Sequence, residues 1–181
     1  MKKISTLLLL LLLTTASCEK DDICPESTPT TPKLILRFYD ISNQDDTKNV
    51  TSIGVTSLDE NGETFVLAGF NGVTTDSISL PLRIQTTAEN FTRFTFYKDF
   101  ALDDNGTPND PSDDIFSGNP DVITFAYKRE DIYVSRACGF KTIFSELIVT
   151  VESDGENWII NPLILNRTIE NEISAHVKIL H

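Results

Sequence analysis

The chain is 181 residues long, 40% hydrophobic by composition, and carries a formal charge of −12, with three cysteines and only two histidines. That length suits one domain, and so acidic a surface repels phosphate backbones and anionic lipid head groups, which excludes nucleic acid as a natural partner. The histidines, His176 and the terminal His181, cluster with no cysteine or carboxylate at metal-ligand spacing, and no nucleophile is placed to pair with them.

At the amino terminus Lys2 and Lys3 precede an apolar run, 4–13, whose last seven residues are all leucine. A spanning helix needs about 20 apolar residues, so the run reads as the apolar region of an export signal. Thr15-Ala16-Ser17-Cys18 follows and resembles a lipobox, with Thr15 where leucine is usual. The resemblance implies cleavage after residue 17 and a palmitate-bearing Cys18 as the new amino terminus. The alternative is an ordinary secretory signal cut nearby, with Cys18 left as a thiol. Acyl chains contribute about 0.8 kcal/mol per buried methylene, so several chains on one residue suffice as an anchor. Losing Lys2 and Lys3 with the leader takes the charge from −12 to −14.

Glu19-Lys20-Asp21-Asp22 resembles the acidic export signal of Bacteroidetes lipoproteins, which implies the outer face of the outer membrane. The periplasmic face is the alternative. Cys24 and Cys138 then remain in a compartment that permits disulfides, and two cysteines allow one pairing, which would stabilise by about 4 to 5 kcal/mol on the chain-entropy relation. Two buried thiols, or a metal site, are the competing readings. Pro25-Glu26-Ser27-Thr28-Pro29-Thr30-Thr31-Pro32 buries nothing and prefers extended backbone, so 18–32 reads as a lipidated tether and 33–181 as the domain.

From Lys33 onward no window shows a capped 3.6-residue period, and strand candidates follow one another at 33–39, 50–58, 63–68, 77–85, 91–97, 122–128, 132–135, 146–152, 158–166 and 173–180. Their spacing predicts an all-β domain, a single antiparallel β-sandwich of immunoglobulin-like or related Greek-key type. Asn61-Gly62 and Asp154-Gly155 are hairpin signals, because tight turns need positive φ. Pro81 and Pro162 mark their strands as edges or bulges, since proline cannot donate to a ladder. Alternation turns Leu147, Val149 and Val151 inward, and likewise Ile173, Ala175, Val177 and Ile179, which leaves His176 on the solvated side.

The segment 99–121 is rich in oxygen ligands, and Asp103, Asn105, Asp110, Asp113 and Asp114 are candidate calcium ligands. The EF-hand register fails, because Gly106 at its sixth position puts Ala101 at the first. The other reading is a long solvated connection that binds nothing, and no further cofactor is indicated. Trp158, Tyr133, Tyr97 and Tyr127 are candidates for a sugar-stacking platform or for the core. Asn49, Asn90 and Asn166 open chance matches to the N-glycosylation pattern, whereas Asp76-Ser77-Ile78 resembles a Bacteroidetes O-glycosylation acceptor at Ser77.

Tyr127-Lys128-Arg129, then Ile132-Tyr133-Val134-Ser135-Arg136-Ala137-Cys138-Gly139-Phe140-Lys141 and Phe144, together with Cys24-Pro25 and Leu36-Arg37-Phe38-Tyr39-Asp40, resemble a family of Bacteroidetes surface lipoproteins of unknown function. The resemblance covers most of the exported chain and implies no activity. It supports pairing Cys24 with Cys138, since the family pattern holds both. The expectation is therefore a non-catalytic surface module that binds a glycan or an outer-membrane protein partner. A carboxylate-type glycan-active enzyme and a structural or envelope-assembly lipoprotein are the alternatives.

Overall fold

A computed structural model describes residues 23–26, 28, 31–59, 62–84, 90–108 and 110–181. The leader, Cys18, and the export stretch Glu19, Lys20, Asp21 and Asp22 lie outside the described residues, as does Asn61 of the first hairpin signal.

Nine strands follow in order: β1 (Leu34–Tyr39), β2 (Val50–Leu58), β3 (Thr64–Thr75), β4 (Ser77–Leu80), β5 (Phe91–Asp103), β6 (Ile115–Ser135), β7 (Gly139–Val151), β8 (Asn161–Ile164) and β9 (Val177–Leu180). They form two sheets, β4-β1-β9-β8 and β3-β2-β5-β6-β7, packed face to face as an all-β sandwich. Period-two patterning explains the layers. On β5, Thr92, Phe94 and Phe96 are buried while Arg93 and Thr95 alternate with them on the outer face. Phe38, Phe96, Phe125 and Phe144 fill the space between the sheets together with Leu34, Leu36, Ile123 and Ile179. Truncating a fully buried phenylalanine of this kind costs about 3–5 kcal/mol.

The pairing is antiparallel with one exception, for β1 and β9 run parallel. These strands come from opposite ends of the domain, so no hairpin dictates their direction. Pro81 directly follows β4 and Pro162 lies within β8, the two edges of the four-stranded sheet. Both prolines thus stand where no ladder is interrupted.

Several elements differ from the sequence reading. Segments 122–128 and 132–135 belong to one strand, β6, which begins at Ile115 despite Gly118 and Pro120. Pro120 is tolerated because β7 pairs with β6 only from Ile123 onward, leaving the start of β6 bonded to β5 alone. Gly118, at φ 124°, sits against a bulge at Asp99 where an added Cβ would lie 2.7 Å from the Lys98 carbonyl. Asp154-Gly155 is not a hairpin turn. It bends the chain from β7 in one sheet toward β8 in the other, with Gly155 at φ 88°. In 173–180 only Val177–Leu180 is strand, and Ile173 is 88% exposed rather than inward.

Candidate functional site

One concave feature among the described residues is a groove of about 650 Å³ on the exposed face of the five-stranded sheet. Register builds it: Thr56 of β2 lies opposite Thr95 of β5, which in turn lies opposite Val122 of β6, so the three line one face. Phe91 and Arg93 continue that face along β5, and Asp59, Gly62 and Arg83 form its rim. Its volume falls in the range of small-ligand sites.

Buried hydrogen bonds hold the rim. The Arg83 N–H donates to Thr92 Oγ1 at 2.9 Å, and the Tyr127 hydroxyl donates to the Arg83 carbonyl at 3.0 Å. The Thr92 hydroxyl is then left to donate to the Tyr127 oxygen, 2.6 Å away. Burial raises the Tyr127 phenol above its ordinary range, and its bonds to Thr92 and Arg83 oppose that. The pair of buried hydroxyls thereby fixes the backbone from which Arg83 projects. At the other rim, Asp59 closes the β2–β3 turn by accepting from the Glu63 N–H at 2.8 Å. Arg93 reaches across β6 to Glu152, 2.5 Å away, an ion pair exposed enough to contribute no more than about 1 kcal/mol. Ser57 donates to the Arg93 carbonyl at 3.2 Å. The groove therefore offers two guanidinium groups, threonine and serine hydroxyls, one carboxylate and the ring of Phe91.

Of the residues singled out by sequence, Gly62 of the hairpin signal lies on this groove's rim, and none of the described candidates for chemistry, ligation or stacking lines it. His176, expected in solvent, is 3% exposed: it precedes β9, its Nδ1 accepts from the Ile35 N–H at 3.0 Å, and its own N–H donates to the Ile35 carbonyl at 2.8 Å. It belongs to the seam between β1 and the chain entering β9, and burial lowers its pKa. His181 is also buried, with its ring edge-on to Phe38 and Trp158, and burial likewise lowers its pKa.

The calcium candidates make hydrogen bonds within their own loop. Asp103 accepts from the Asn105 N–H, Asp110 from Ser112, and Asp113 from the Thr107 hydroxyl and the Asn105 amide, while Asp114 closes the short turn after Pro111. Among the described residues no three His, Cys, Asp or Glu side chains converge on a metal-holding geometry. The carboxylates of Asp103, Asp110 and Asp113 thus accept hydrogen bonds within the segment, which shapes it as a self-bonded connection. Ser77 lies on the edge strand β4, where its hydroxyl donates to the Leu36 carbonyl at 3.2 Å.

The four aromatic candidates form no common platform. Trp158 and Tyr127 are core, and Tyr97 packs on Phe100 and Phe116. Tyr133 stands at the far end of the β6–β7 hairpin. That hairpin does carry the expected bridge: Cys24 and Cys138 are disulfide-bonded, with Cα atoms 4.8 Å apart.

One buried acid escaped sequence reading. Asp121 opens the inward run of β6, is fully buried, and accepts from the Ile159 N–H at 2.7 Å and the Asn157 amide at 3.1 Å. Burial raises its pKa, against the lowering effect of those two bonds. It clamps the chain that crosses from β7 to β8. The sequence reading starts the strand at 122 and leaves 121 at the end of the oxygen-rich segment, so only the fold shows that Asp121 is inside and which donors meet it.

A family model described as a family of unknown function (DUF6452) matches residues 49–181, a span that includes the groove's sheet and Cys138. No curated protein and no solved structure matches the chain.

Proposed function

We propose, from the premise that this chain belongs to the family of unknown function DUF6452, that it is an outer-membrane lipoprotein exposed on the cell surface and that it binds a glycan without cleaving it. The observation that carries the reading is the groove. Planar guanidinium groups, hydroxyls and an exposed aromatic face are what a pyranose requires, the first two for its diols and any carboxylate, the last for its apolar face. Glycoside cleavage needs two carboxyl groups facing each other across about 5 to 9.5 Å, and among the described lining residues Asp59 is the one acid, while Glu152 beside the groove is paired with Arg93. The Asp59 carboxylate already holds a turn. The anchor in this reading is the lipid on Cys18, and among the described residues no helix is long and apolar enough to cross a membrane. The surface address rests on the resemblance of Glu19-Lys20-Asp21-Asp22 to an export signal.

The test is an array of neutral and uronic-acid glycans probed with the lipoprotein and with Arg83→Ala and Arg93→Ala. Retention of a glycan by the parent, weakened about tenfold by either variant, supports the groove, tenfold being the loss of about 1.4 kcal/mol. An array with no ligand, or binding indifferent to both arginines, overturns it. Separately, Cys18→Ala is expected to accumulate as an unprocessed precursor, and normal maturation of that variant would refute the anchor.

A further inference from the structure

The far end of the β6–β7 hairpin, where the disulfide joins it to the tether, carries exposed apolar side chains. Tyr133 and Phe140 face each other across the two strands, with ring centroids 5.4 Å apart, yet they are 58% and 68% exposed. Ile132 is partly exposed on the same hairpin, and Ile23, beside Cys24, is 80% exposed. Edge-to-face packing fixes the ring pair but leaves most of its area in water, a costly arrangement unless something covers it. From Glu130 to Lys141 the hairpin end holds two cations, Arg136 and Lys141, and two carboxylates, Glu130 and Asp131, so it is neutral in a chain whose net charge is −12.

The disulfide decides what covers it. Cys138 is joined to Cys24, and Cys24 lies six positions after Cys18 in the chain. Six residues reach about 22 Å at full extension, so the hairpin end is held within that distance, plus the width of the bridge, of the residue read as lipidated. The remainder of β6 runs away from it, for 21 residues at about 3.3 Å each exceeds any reach of the tether. We propose that this hairpin end, Tyr133 and Phe140 with Ile23, lies in the head-group layer of the membrane that carries the anchor, with Arg136 against lipid phosphates. The proposal rests on the reading of Cys18 as the lipid attachment point. A tyrosine and a phenylalanine suit that layer, where an apolar ring meets hydrocarbon and a polar tip stays hydrated. Repulsion between exposed charges fades beyond about 8 Å at physiological salt, so distant carboxylates of this acidic chain weigh little, and on the hairpin end itself Arg136 and Lys141 balance Glu130 and Asp131. The bridge thereby orients the domain, presenting the opposite end of β6 outward.

The experiment uses the full lipoprotein, purified and reconstituted into phosphatidylethanolamine–phosphatidylglycerol vesicles whose acyl chains are brominated near the head group. Phe140→Trp provides the probe, Tyr133→Trp a second one should the first fail to fold, and Ile115→Trp the control at the other end of β6. The native Trp158 is buried and gives the baseline. The Phe140→Trp signal is expected to shift to the blue and lose about half its intensity to bromolipid, while Ile115→Trp is unchanged. Mass spectrometry of the amino-terminal peptide is run on the same sample. An acylated protein whose hairpin probe is not quenched overturns the membrane contact alone. An unacylated protein overturns the anchor, and this proposal with it.

Discussion

Replacing both bridge cysteines, as Cys24→Ser with Cys138→Ser, removes a cross-link whose worth the fold alters substantially. The bridge closes a loop with a sequence separation of 114 residues. On the chain-entropy relation, a loop of that size constrains the unfolded chain by about 4.8 kcal/mol. The folded chain is constrained too, however. Pro32 is the first buried residue described, eight residues after Cys24, so the bridge also closes a short loop in the native state, at about 2.5 kcal/mol on the same relation. The difference, about 2.4 kcal/mol, is the expected loss of stability, or about 5–10 °C in Tm for a domain of this size. Thermal unfolding followed by circular dichroism measures it, with the serine pair avoiding a stray thiol. A loss near 4.8 kcal/mol would show that the stalk stays docked without the bridge, for instance through the Thr142 N–H to Thr31 hydroxyl bond of 3.0 Å, and would refute the native-loop correction. No measurable loss would refute the entropic reasoning altogether.

Asp121→Ala strands the buried Ile159 N–H and the Asn157 amide and is expected to cost about 1–3 kcal/mol in urea unfolding, with Asp121→Asn recovering part because an amide oxygen still accepts from Ile159; equality of Asp121→Ala with the parent would remove the clamp from the account. His176 and His181 both have folded pKa values below their ordinary value, so their stabilising contribution is complete above about pH 6.5 and is lost as pH falls toward the folded values, at up to about 1.4 kcal/mol per pH unit for each group. The Tm should therefore drop on acidification from pH 7 to 5.5, and His176→Gln should flatten that drop; a Tm independent of pH over the interval would contradict it. Asp121 acts in the opposite sense, its raised pKa favouring the fold as pH falls into the carboxyl range, which ought to slow the decline at lower pH. Gly54→Ala brings a Cβ to 2.2 Å from Phe100 Cγ and should destabilise by about 1–3 kcal/mol, a thermal melt equal to the parent's being the contrary result.

Where alternation and punctuation were strong, the fold was legible in the chain. Val50–Leu58 was bounded correctly by its apolar run, and Pro81 and Pro162 located both edges of one sheet through their missing donors. The long β6 reads as two strands because the charged Arg129-Glu130-Asp131 separates its apolar runs, and its start is missed because Gly118 and Pro120 break the pattern; only the neighbour pairing shows that Gly118 sits against a bulge and Pro120 where β6 has a single partner. His176 was misplaced for a related reason. Period-two reasoning assigns a residue to a face, but 173–176 is not strand, so the alternation extrapolated through it had no pleat to obey. The groove was hidden because its parts come from β2, β5, β6 and the loop after β4. Arg93 could be placed on the outer face of β5 from Phe94 and Phe96, yet nothing in its neighbourhood in sequence named Thr56, Asp59 or Arg83 as its companions.

The claim that the groove is a glycan site is tested most directly by hydrogen–deuterium exchange of the intact lipoprotein with and without the glycan that the array retains. The account predicts slowed exchange in 56–64 and 83–84 at the groove's rims and in 91–95 of β5, with 132–141 at the hairpin end unaffected. Protection confined to 132–141, or spread with no maximum on the five-stranded sheet, would contradict it.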